Sequence, residues 1–454
     1  MNDEATAAPG KRVALPRLTA AEWVLLLVLA ALGFTHNLDY MIMMPLMPYF
    51  QHEMDISERQ FGLLVASYAF SAGVSGLLAA LFIDRFDRKR ALLWLYFGFM
   101  VGTLLCAVAP GYVSLLLART VAGAFGGVVS AVVLAIIGDV FSDRRRGRAM
   151  GVVMTAFSLA LIVGLPIGLT LADNYGWRTA FGALAGVSGV VLVMAWCVLP
   201  PLRGHLARGP SNASNLWAAL SHPLHVRAYV LMIALVFSTL MIVPYLADYL
   251  VKNVGRPKTE LRWIYLCGGF STLLALPLVG RIADRLPKLM VFRTLAILAI
   301  IPALIVTHLP PVALLVTILV SSSFMVLTAG RMVPGMAMLT ACALPRYRGS
   351  FMTINSSVQQ VAAGLAAIAG GLILGDTKAS EALTRFDLVG YLASGAMVVS
   401  VILAGRLRPA GAEALQAVDS VTGAAPTQGV EEAIHPSPET FLEMPEAAEA
   451  NSAL

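Results

Sequence analysis

Charged side chains are scarce in this sequence. Asp, Glu, Lys and Arg make up 13% of its 454 residues, whereas they make up about 25% of a soluble globular domain. Apolar residues make up 58%, and the mean hydropathy is +0.79. This composition excludes an ordinary soluble domain, because too few charges are available to cover its surface. It is typical of a chain that lies in lipid.

Cysteine is also rare, and the motifs of common enzyme sites are missing. There is no Gly-x-Ser-x-Gly nucleophile elbow, no Gly-x-x-x-x-Gly-Lys phosphate loop and no His/Glu zinc motif. We therefore predict neither an enzyme nor an ATP-driven pump, and neither a cofactor nor a bound metal. The four cysteines lie in apolar segments without metal-ligand spacing, and we interpret them as small apolar side chains. They are Cys106, Cys197, Cys267 and Cys342.

Long apolar segments recur along the chain, each long enough to cross ~30 Å of hydrocarbon. They cover roughly residues 21–50, 59–83, 91–109, 112–141, 149–171, 177–200, 226–250, 262–283, 289–308, 312–343, 350–374 and 387–405. The sequence therefore predicts an all-α polytopic membrane protein with twelve spans. A connection rich in Pro, Gly, Ser and Asn divides them six and six, which predicts bundles over 21–200 and 226–405 joined by a cytoplasmic linker, 201–225.

Lys and Arg are distributed unequally between the connections on the two sides. If the chain starts in the cytoplasm, 22 of the 32 Lys and Arg residues are cytoplasmic and eight lie opposite. This bias predicts that residues 1–20 and 406–454 are both cytoplasmic, in a bacterial-type inner (plasma) membrane. The tail carries eight acidic residues after Ala410 and is expected to be disordered. Because topology accounts for the basic charge, we expect no nucleic acid as a partner. We also expect contact with the lipid bilayer and a monomeric protein.

Short charged pairs repeat between the two halves at nearly constant spacing. They follow the second and eighth spans and open the fifth and eleventh. We interpret the halves as structural copies, the alternative being a chance match of short pairs. Related halves place a substrate site between them near the bilayer midplane. The matching pairs are Asp84-Arg85 with Asp284-Arg285, and Arg146-Gly147 with Arg348-Gly349.

The loop after the second span resembles the signature of the major facilitator superfamily of secondary transporters. Residues 80–89 read Ala-Leu-Phe-Ile-Asp-Arg-Phe-Asp-Arg-Lys. The family pattern is Gly-x-x-x-Asp-Arg-x-Gly-Arg-Lys, so Ala80 and Asp87 stand where that pattern has glycine. The resemblance extends over about residues 20–405. It implies the major facilitator fold, with twelve transmembrane helices in two pseudo-symmetric six-helix bundles.

Two further motifs support the resemblance. Span four carries Arg119-Thr-Val-Ala-Gly123, similar to the family's Arg-x-x-x-Gly. Span five carries Gly164-Leu-Pro166-Ile-Gly168, which resembles the Gly/Pro motif of the efflux branches. It is nearer to the sugar-efflux type than to the adjacent Gly-Pro of the drug:proton antiporters.

The charged loops and the Gly/Pro motif are candidates for a conformational role. Carboxylates and guanidiniums in a short loop can latch neighbouring helix ends in one state, and the resemblance implies that Asp84, Arg85 and Arg88 stabilise the outward-open state. The alternative is that the basic residues only set topology, but acids contribute little to topology, so Asp84 favours a latch. The predicted gating residues are Asp84, Arg85, Arg88, Gly164, Pro166, Gly168, Asp284 and Arg285.

A single carboxylate, Asp39, lies inside the first span. A charge at bilayer depth costs at least ~2.5 kcal/mol, so it should face a cavity or a partner. At ~1.5 Å per residue, Asp39 lies ~15 Å and Arg119 ~9–10 Å below the same end of their helices, a gap that an arginine side chain can bridge. Burial favours a protonated carboxylate, and an arginine favours an ionised one. We predict that Asp39 and Arg119 couple transport to protons, the alternative being a static pair that fixes helix packing.

Residues on the helix face of Asp39 are candidates for substrate contact. His36, Tyr40 and Met43 lie at helical spacings of three or four residues along that face. A histidine there can relay a proton or bind a solute. An imidazole satisfied by its neighbours is the alternative. We predict that these three side chains bind substrate.

Polar residues in spans ten and eleven complete the predicted substrate site. Arg331 lies roughly 20 Å from the cytoplasmic end of its helix, where a cation would attract an anionic or carboxylate-bearing solute. A salt bridge or a helix-end contact is the alternative. Asn355 and Gln359 are amides one turn apart, which either bind solute or join helices.

These features predict a secondary active transporter that moves a small organic solute by alternating access, with protons as the coupling ion. Proton-coupled efflux is the favoured direction. A symporter importing a small anionic or sugar-like solute would use the same residues. A non-transporting membrane receptor or scaffold would instead have a packed centre without a cavity.

Overall fold

The protein is built from helices that match the predicted spans in number. The structure, a computed structural model, describes residues 18–202, 213–376 and 381–407. Twelve helices within these ranges are long and apolar enough to cross a membrane. This confirms the predicted all-α polytopic class. The predictions for residues 1–17 and for the acidic tail lie outside the described residues.

The twelve spans are numbered in chain order. They are Ala20–Met54, Glu58–Phe82, Arg88–Ala107, Tyr112–Val140, Arg145–Tyr175, Trp177–Val198, Pro223–Lys252, Lys258–Arg285, Lys288–Thr307, Leu314–Ala341, Arg348–Leu374 and Phe386–Ala404. Because successive spans alternate in direction, spans one and twelve have their chain ends on one side, here called the terminus side. The opposite end of the bundle is the far side.

Local capping explains where the first two spans begin. Thr19 and Glu22 form a capping box at the start of span one, and Ser57 and Gln60 form another at span two. In each, the side chains satisfy backbone N–H groups that have no partner inside the helix. Between these spans Asp55 adopts a left-handed conformation, with φ of 50°, and ends the preceding helix.

Three spans are interrupted near their middle, each at a proline. Span one comprises helices Ala20–Ile42 and Met47–Met54 joined by a 3₁₀ turn, Met44–Leu46. Span seven breaks between Pro223–Leu240 and Val243–Lys252. Span five passes through a π-turn, Ala160–Gly164, before Leu165–Tyr175. Proline lacks the N–H that continues the helical ladder, so these breaks follow from Pro45, Pro166 and Pro244.

A short helix, Ala213–Ser221, lies inside the predicted linker. Sequence reasoning placed no helix there, because Pro, Gly, Ser and Asn dominate the surrounding residues. The carbonyl of Ala219 accepts hydrogen bonds from the Tyr229 hydroxyl at 3.2 Å and from the His225 ring at 3.0 Å. These contacts hold the linker helix against the start of span seven.

The two halves pack together through related pairs of spans. Span two lies against span eleven, and span five lies against span eight. Small residues allow this approach: a Cβ on Gly73 would lie 3.2 Å from the Ser357 carbonyl oxygen, and one on Gly269 would lie 3.1 Å from Leu161. Large apolar side chains such as Trp94 and Leu319 point outward and are more than half exposed. They form the surface that faces lipid.

Close packing of spans three and four depends on Gly102. A Cβ at this position would lie 2.6 Å from the Cα of Ala122, a backbone atom that cannot move aside. We predict that Gly102→Ala lowers stability by about 1–3 kcal/mol, the usual cost of overpacking. Thermal melting of the purified protein in detergent measures the effect.

Gly186 in span six provides the matched control. A Cβ there would meet nothing within 4 Å, so Gly186→Ala gains helix propensity of about 0.5–1 kcal/mol without a clash. The two substitutions are therefore expected to shift the melting temperature in opposite directions. Equal shifts would show that the contact at Ala122 is not tight.

Candidate substrate site and buried charges

A cavity of about 290 Å³ lies between the two halves. Spans one and five of the first half and spans seven, eight, ten and eleven of the second half line it. Lining residues of the first half are Tyr40, Met41, Met44, Phe157, Leu161 and Leu165; those of the second half are Leu235, Val236, Thr239, Leu240, Val243, Tyr265, Thr272, Phe324, Met325, Thr328, Ala329, Met332, Gln359, Gln360 and Ala363. A cavity at this place fits a solute site between related halves.

The cavity wall is mostly apolar and carries a few hydrogen-bonding groups. Tyr40, Phe157, Tyr265 and Phe324 supply aromatic surface. The buried hydroxyl of Tyr265 has no hydrogen-bond partner among the described residues. Together with the amides of Gln359 and Gln360, it can bind polar atoms of a solute whose body packs on the apolar wall.

Of the six predicted substrate-binding residues, Tyr40 and Gln359 line this cavity. His36, Met43, Arg331 and Asn355 are buried and are not among the lining side chains. Met41 and Met44 line it instead of Met43. Met41 belongs to the regular helix, which ends at Ile42, and Met44 lies in the 3₁₀ turn after it. The amphipathic pattern of span one gave no warning of this break; Pro45 was the available signal.

Asp39 and Arg119 form a buried ion pair between spans one and four. An Nη1 atom of Arg119 lies 2.8 Å from Oδ2 of Asp39, and both side chains are at most 1% exposed. The hydroxyl of Thr103 in span three donates to Oδ1 of Asp39 at 3.1 Å. The carboxylate therefore joins three spans of the first half.

Aromatic rings separate this ion pair from the cavity. The guanidinium of Arg119 lies over the ring of Tyr68, 4.3 Å from its centroid. The Tyr68 ring contacts the Tyr40 ring, with centroids 5.6 Å apart, and Tyr40 lines the cavity. The Tyr68 hydroxyl also lies 3.3 Å from Nδ1 of His36. His36 thus packs beside the pair, through Tyr68, rather than at the cavity wall.

The Gly/Pro motif of span five packs on the segment of span one that carries Asp39. A Cβ on Gly164 would lie 2.7 Å from a methyl group of Leu38, and one on Gly168 would overlap the side chain of Ile42. Pro166 lies in the first turn after the π-turn. The motif therefore permits close contact between spans one and five beside the cavity.

Arg88 in the signature loop contacts the end of span four. Its Nε atom lies 3.4 Å from Oδ2 of Asp139, and its backbone N–H donates to the carbonyl of Leu202 at 3.2 Å. The first contact lies within the first half, and the second joins it to the start of the linker. Arg85, Asp284 and Arg285 are exposed and form no ion pair with another described residue. The side chain of Asp84 lies outside the described part, so the predicted latch stays a prediction there.

Charged residues close the far side between the halves. Nζ of Lys252 in span seven lies 3.1 Å from Glu58 of span two and 3.1 Å from Asp248. Gln51 donates to Glu58 at 2.9 Å, and Lys258 donates to the carbonyl of Pro48 at 2.9 Å. Sequence reasoning assigned these residues to far-side span ends and connections and included none of them among the predicted site residues.

An apolar layer lies beside these charges. Phe50, Phe61, Tyr245 and Ala247 are fully buried in it, and the rings of Phe61 and Tyr245 meet edge to face with centroids 6.1 Å apart. We call these four residues and their neighbours the far-side layer. It joins spans one and two to span seven, so the halves are in contact at this end.

The terminus side is more open. A cleft of about 440 Å³ separates spans two and four from the start of span eleven. Gly76, Ala80, Ala131, Arg346 and Gly349 are among its lining residues. The halves are thus joined at the far side and parted by a cleft at the terminus side.

The sequence profile of the Major Facilitator Superfamily matches residues 29–244 and residues 228–438. The chain belongs to this superfamily. Its members are transporters, so the protein is a multi-pass membrane transporter of a small molecule, and the predictions of family and of a non-enzymatic role are confirmed.

Individual relatives are distant. The uncharacterized MFS-type transporter YceJ of Bacillus subtilis (strain 168) is 24% identical over 377 residues, which cover 82% of this chain and 95% of that protein. A probable sugar efflux transporter of Helicobacter pylori (strain G27) is 23% identical over 220 residues, which cover 48% of this chain and 56% of that protein.

A solved structure of another protein has the same fold. It is a bacterial homologue of the human lysosomal transporter Spinster, captured in an inward-facing and unoccupied conformation. The TM-score is 0.65 at 16% identity, over 86% of this chain and 96% of that one. Identity at this level shows a shared fold alone.

The Asp39–Arg119 pair can be tested by removing one member at a time, because only one of the two side chains can become neutral when left alone. Removing one partner of a buried pair costs ~3–5 kcal/mol. A lone Asp39 can take up a proton and become neutral, whereas a lone Arg119 keeps its charge. We predict that Asp39→Asn destabilises the protein more than Arg119→Gln, as measured by melting in detergent.

The double variant Asp39→Asn/Arg119→Gln completes a thermodynamic cycle. It is expected to melt above the Asp39→Asn single variant, because no uncompensated charge remains. Simple addition of the two single effects would show that the side chains are not energetically coupled.

Proposed function

We propose that this superfamily member exports a small organic solute with an apolar body in exchange for protons. The observation that carries the proposal is the Asp39–Arg119 pair, which is buried beside a cavity between two halves that meet at the far side and have a cleft between them at the terminus side. A carboxylate in that position changes its charge when it binds a proton. Its environment also changes whenever the two halves rearrange around the cavity.

Protonation of Asp39 is the proposed coupling step. A neutral Asp39 no longer compensates Arg119, so the guanidinium must find another acceptor or become hydrated. Both responses disturb the contact of spans one, three and four. Protonation therefore changes the relative stability of the two openings. This is how a proton gradient would be converted into a directed cycle.

Alternating access is proposed to proceed through the far-side layer and its charges. With the cleft side in the cytoplasm, as the Lys and Arg bias predicts, the cleft lies on the inward side and the contacts of the far-side layer lie on the outward side. Opening outward requires separation of Glu58 from Lys252 and of Phe61 from Tyr245. The terminus-side ends of spans two, four and eleven would then come together and close the cleft.

Two observations favour efflux over import. The motif from Gly164 to Gly168 resembles that of the efflux branches. The relative from Helicobacter pylori is a probable sugar efflux transporter. The apolar cavity wall favours a solute less polar than a sugar. Import by symport remains the second candidate because it would use the same pair. The central cavity argues against a receptor or scaffold with a packed core.

Proton coupling can be tested in proteoliposomes after a thermal-shift screen of metabolite classes has identified a solute, since a ligand of the folded state raises the melting temperature. With the wild type, an imposed proton gradient is expected to drive that labelled solute against the proton flow. Asp39→Asn should abolish this proton-driven movement. The variant should still allow the solute to move down its own concentration gradient.

Two results would contradict the proposal. Solute movement in the same direction as protons would establish symport. Unchanged proton-driven transport in Asp39→Asn would remove Asp39 from the coupling mechanism. Glu22→Gln is a suitable control, because Glu22 pairs with Arg145 at the terminus side, away from the cavity.

The far-side closure makes a separate prediction. Lys252→Gln removes the cation between Glu58 and Asp248, so buried carboxylates lose their counter-charge and the outward-closed state is weakened. We expect faster labelling of Ala247→Cys by a membrane-impermeant maleimide, in a background lacking the four native cysteines. Ala247 is fully buried in the closed state.

Arg178→Gln is the matched control for this labelling experiment. Arg178 pairs with Glu53 at 2.8 Å, also on the far side but within the first half. Its loss should leave the labelling rate of the Ala247→Cys variant unchanged. Equal acceleration by both substitutions would indicate general loosening rather than opening between the halves.

A further inference from the structure

The second half contains a counterpart of the Asp39–Arg119 pair in which the acid is missing. Arg119-x-x-x-Gly123 in span four is repeated as Arg331-x-x-x-Gly335 in span ten. Asp39 stands six residues before the proline that breaks span one, and Ser238 stands six residues before the proline that breaks span seven. The repeat therefore aligns Ser238 with Asp39.

The structure brings these counterparts together in the same way. Nη2 of Arg331 donates to the hydroxyl of Ser238 at 2.7 Å, as Nη1 of Arg119 donates to the carboxylate of Asp39 at 2.8 Å. Arg331 also donates to the Thr239 hydroxyl at 2.7 Å and to the Leu235 carbonyl at 3.2 Å. All three acceptors are neutral.

Arg331 is therefore a buried cation without a counter-charge. Its side chain is fully buried, and it forms no ion pair with any described residue. Its Nε and Nη1 atoms have no hydrogen-bond partner among the described residues. An arginine cannot lose its proton to relieve this, so the cost of burial persists until an anion arrives.

The uncompensated charge lies directly behind the cavity wall. Thr239 and Leu235, which accept hydrogen bonds from Arg331, both line the cavity, and so does Met332, the next residue in the chain. None of the residues that line the cavity is Lys, Arg, His, Asp or Glu. A solute in the cavity would meet one positive charge in otherwise apolar and neutral surroundings.

We propose that Arg331 binds the carboxylate of a small monoanionic solute whose apolar body occupies the cavity, and that the solute supplies the counter-charge that Ser238 lacks. The assignment rests on the proposed function for its choice of this cavity as the transport site. A single guanidinium matches a carboxylate in charge, whereas a doubly charged phosphate would keep an uncompensated charge. The side chain of Thr239, which contacts Arg331 and lines the cavity, must rotate away for the carboxylate to reach the guanidinium.

Ser238→Asp tests this directly, because it builds into the second half the acid that the first half already has. The matched control, Ser238→Asn, has the same size without the charge. In the ligand-free full-length protein, Ser238→Asp is expected to melt at a higher temperature than Ser238→Asn. A lower temperature would show that Arg331 needs no anion and would overturn the proposal.

Ligand selectivity gives the second readout. Benzoate and 1-naphthoate are compared with benzamide and 1-naphthamide, which have the same shape without the charge. The carboxylates are expected to raise the melting temperature of the wild type and of Ser238→Asn more than the amides do. Ser238→Asp should weaken carboxylate binding roughly tenfold or more, the loss expected for a hydrogen bond to a charged group. Equal effects of acid and amide on the wild type, or an unchanged response in Ser238→Asp, would overturn the proposal.

Asp39→Asn separates this inference from the proposed function. If Arg331 is the carboxylate site, Asp39→Asn keeps the selectivity for carboxylates even where it loses proton-driven transport. Carboxylate selectivity with unchanged transport in Asp39→Asn would refute the coupling role of Asp39 alone. Loss of proton-driven transport without carboxylate selectivity would refute the site at Arg331 alone.

Discussion

The structure depends on how the charged side chain of an arginine is buried inside a bundle of apolar helices. Arg119 is accommodated because Asp39 faces it at 2.8 Å and the ring of Tyr68 covers its guanidinium. The pair is costly to bury and costly to break, so it fixes how spans one, three and four meet. The same contact ties helix packing to a group that can bind a proton. A structural constraint and a coupling device can therefore be one interaction.

Close contact between helices is the second requirement, because lipid offers no hydrophobic drive for helix association. Small residues supply it at the sites that matter. A Cβ on Gly127 would lie 2.6 Å from the Cα of Ala72, so spans two and four touch at their backbones. Gly164 acts through side chains: a Cβ there would lie 2.7 Å from a methyl group of Leu38, so span five lies directly on the side chains of span one. The helix that carries Asp39 is thus in close contact with span five.

Sequence reasoning succeeded where one physical quantity dominates. It failed where the contact depends on helix rotation, on a break in a helix or on which end of the bundle is closed. Span number follows from hydrophobic length, and the meeting of Asp39 with Arg119 follows from residue depth along two helices. The pairing of Glu58 with Lys252 could not be derived, because it depends on which opening the bundle adopts. Met44 was missed because Pro45 ends the helical period. The position of Arg331 behind Thr239 could not be derived either, because it depends on the rotation of the helix, which residue counting does not determine.

The repeat makes the difference between the halves informative. Both halves place an arginine on span four or ten against the position six residues before a proline break, so the scaffold is shared. Asp39 fills that position in one half and Ser238 in the other. If both halves carried the acid, each arginine would be neutralised and the cavity would have no attraction for an anion. If neither did, Arg119 would also lack a counter-charge, and no carboxylate at that position could bind a proton. In the proposed mechanism, the acid present in the first half serves proton coupling, and its absence from the second half leaves Arg331 to bind the anion.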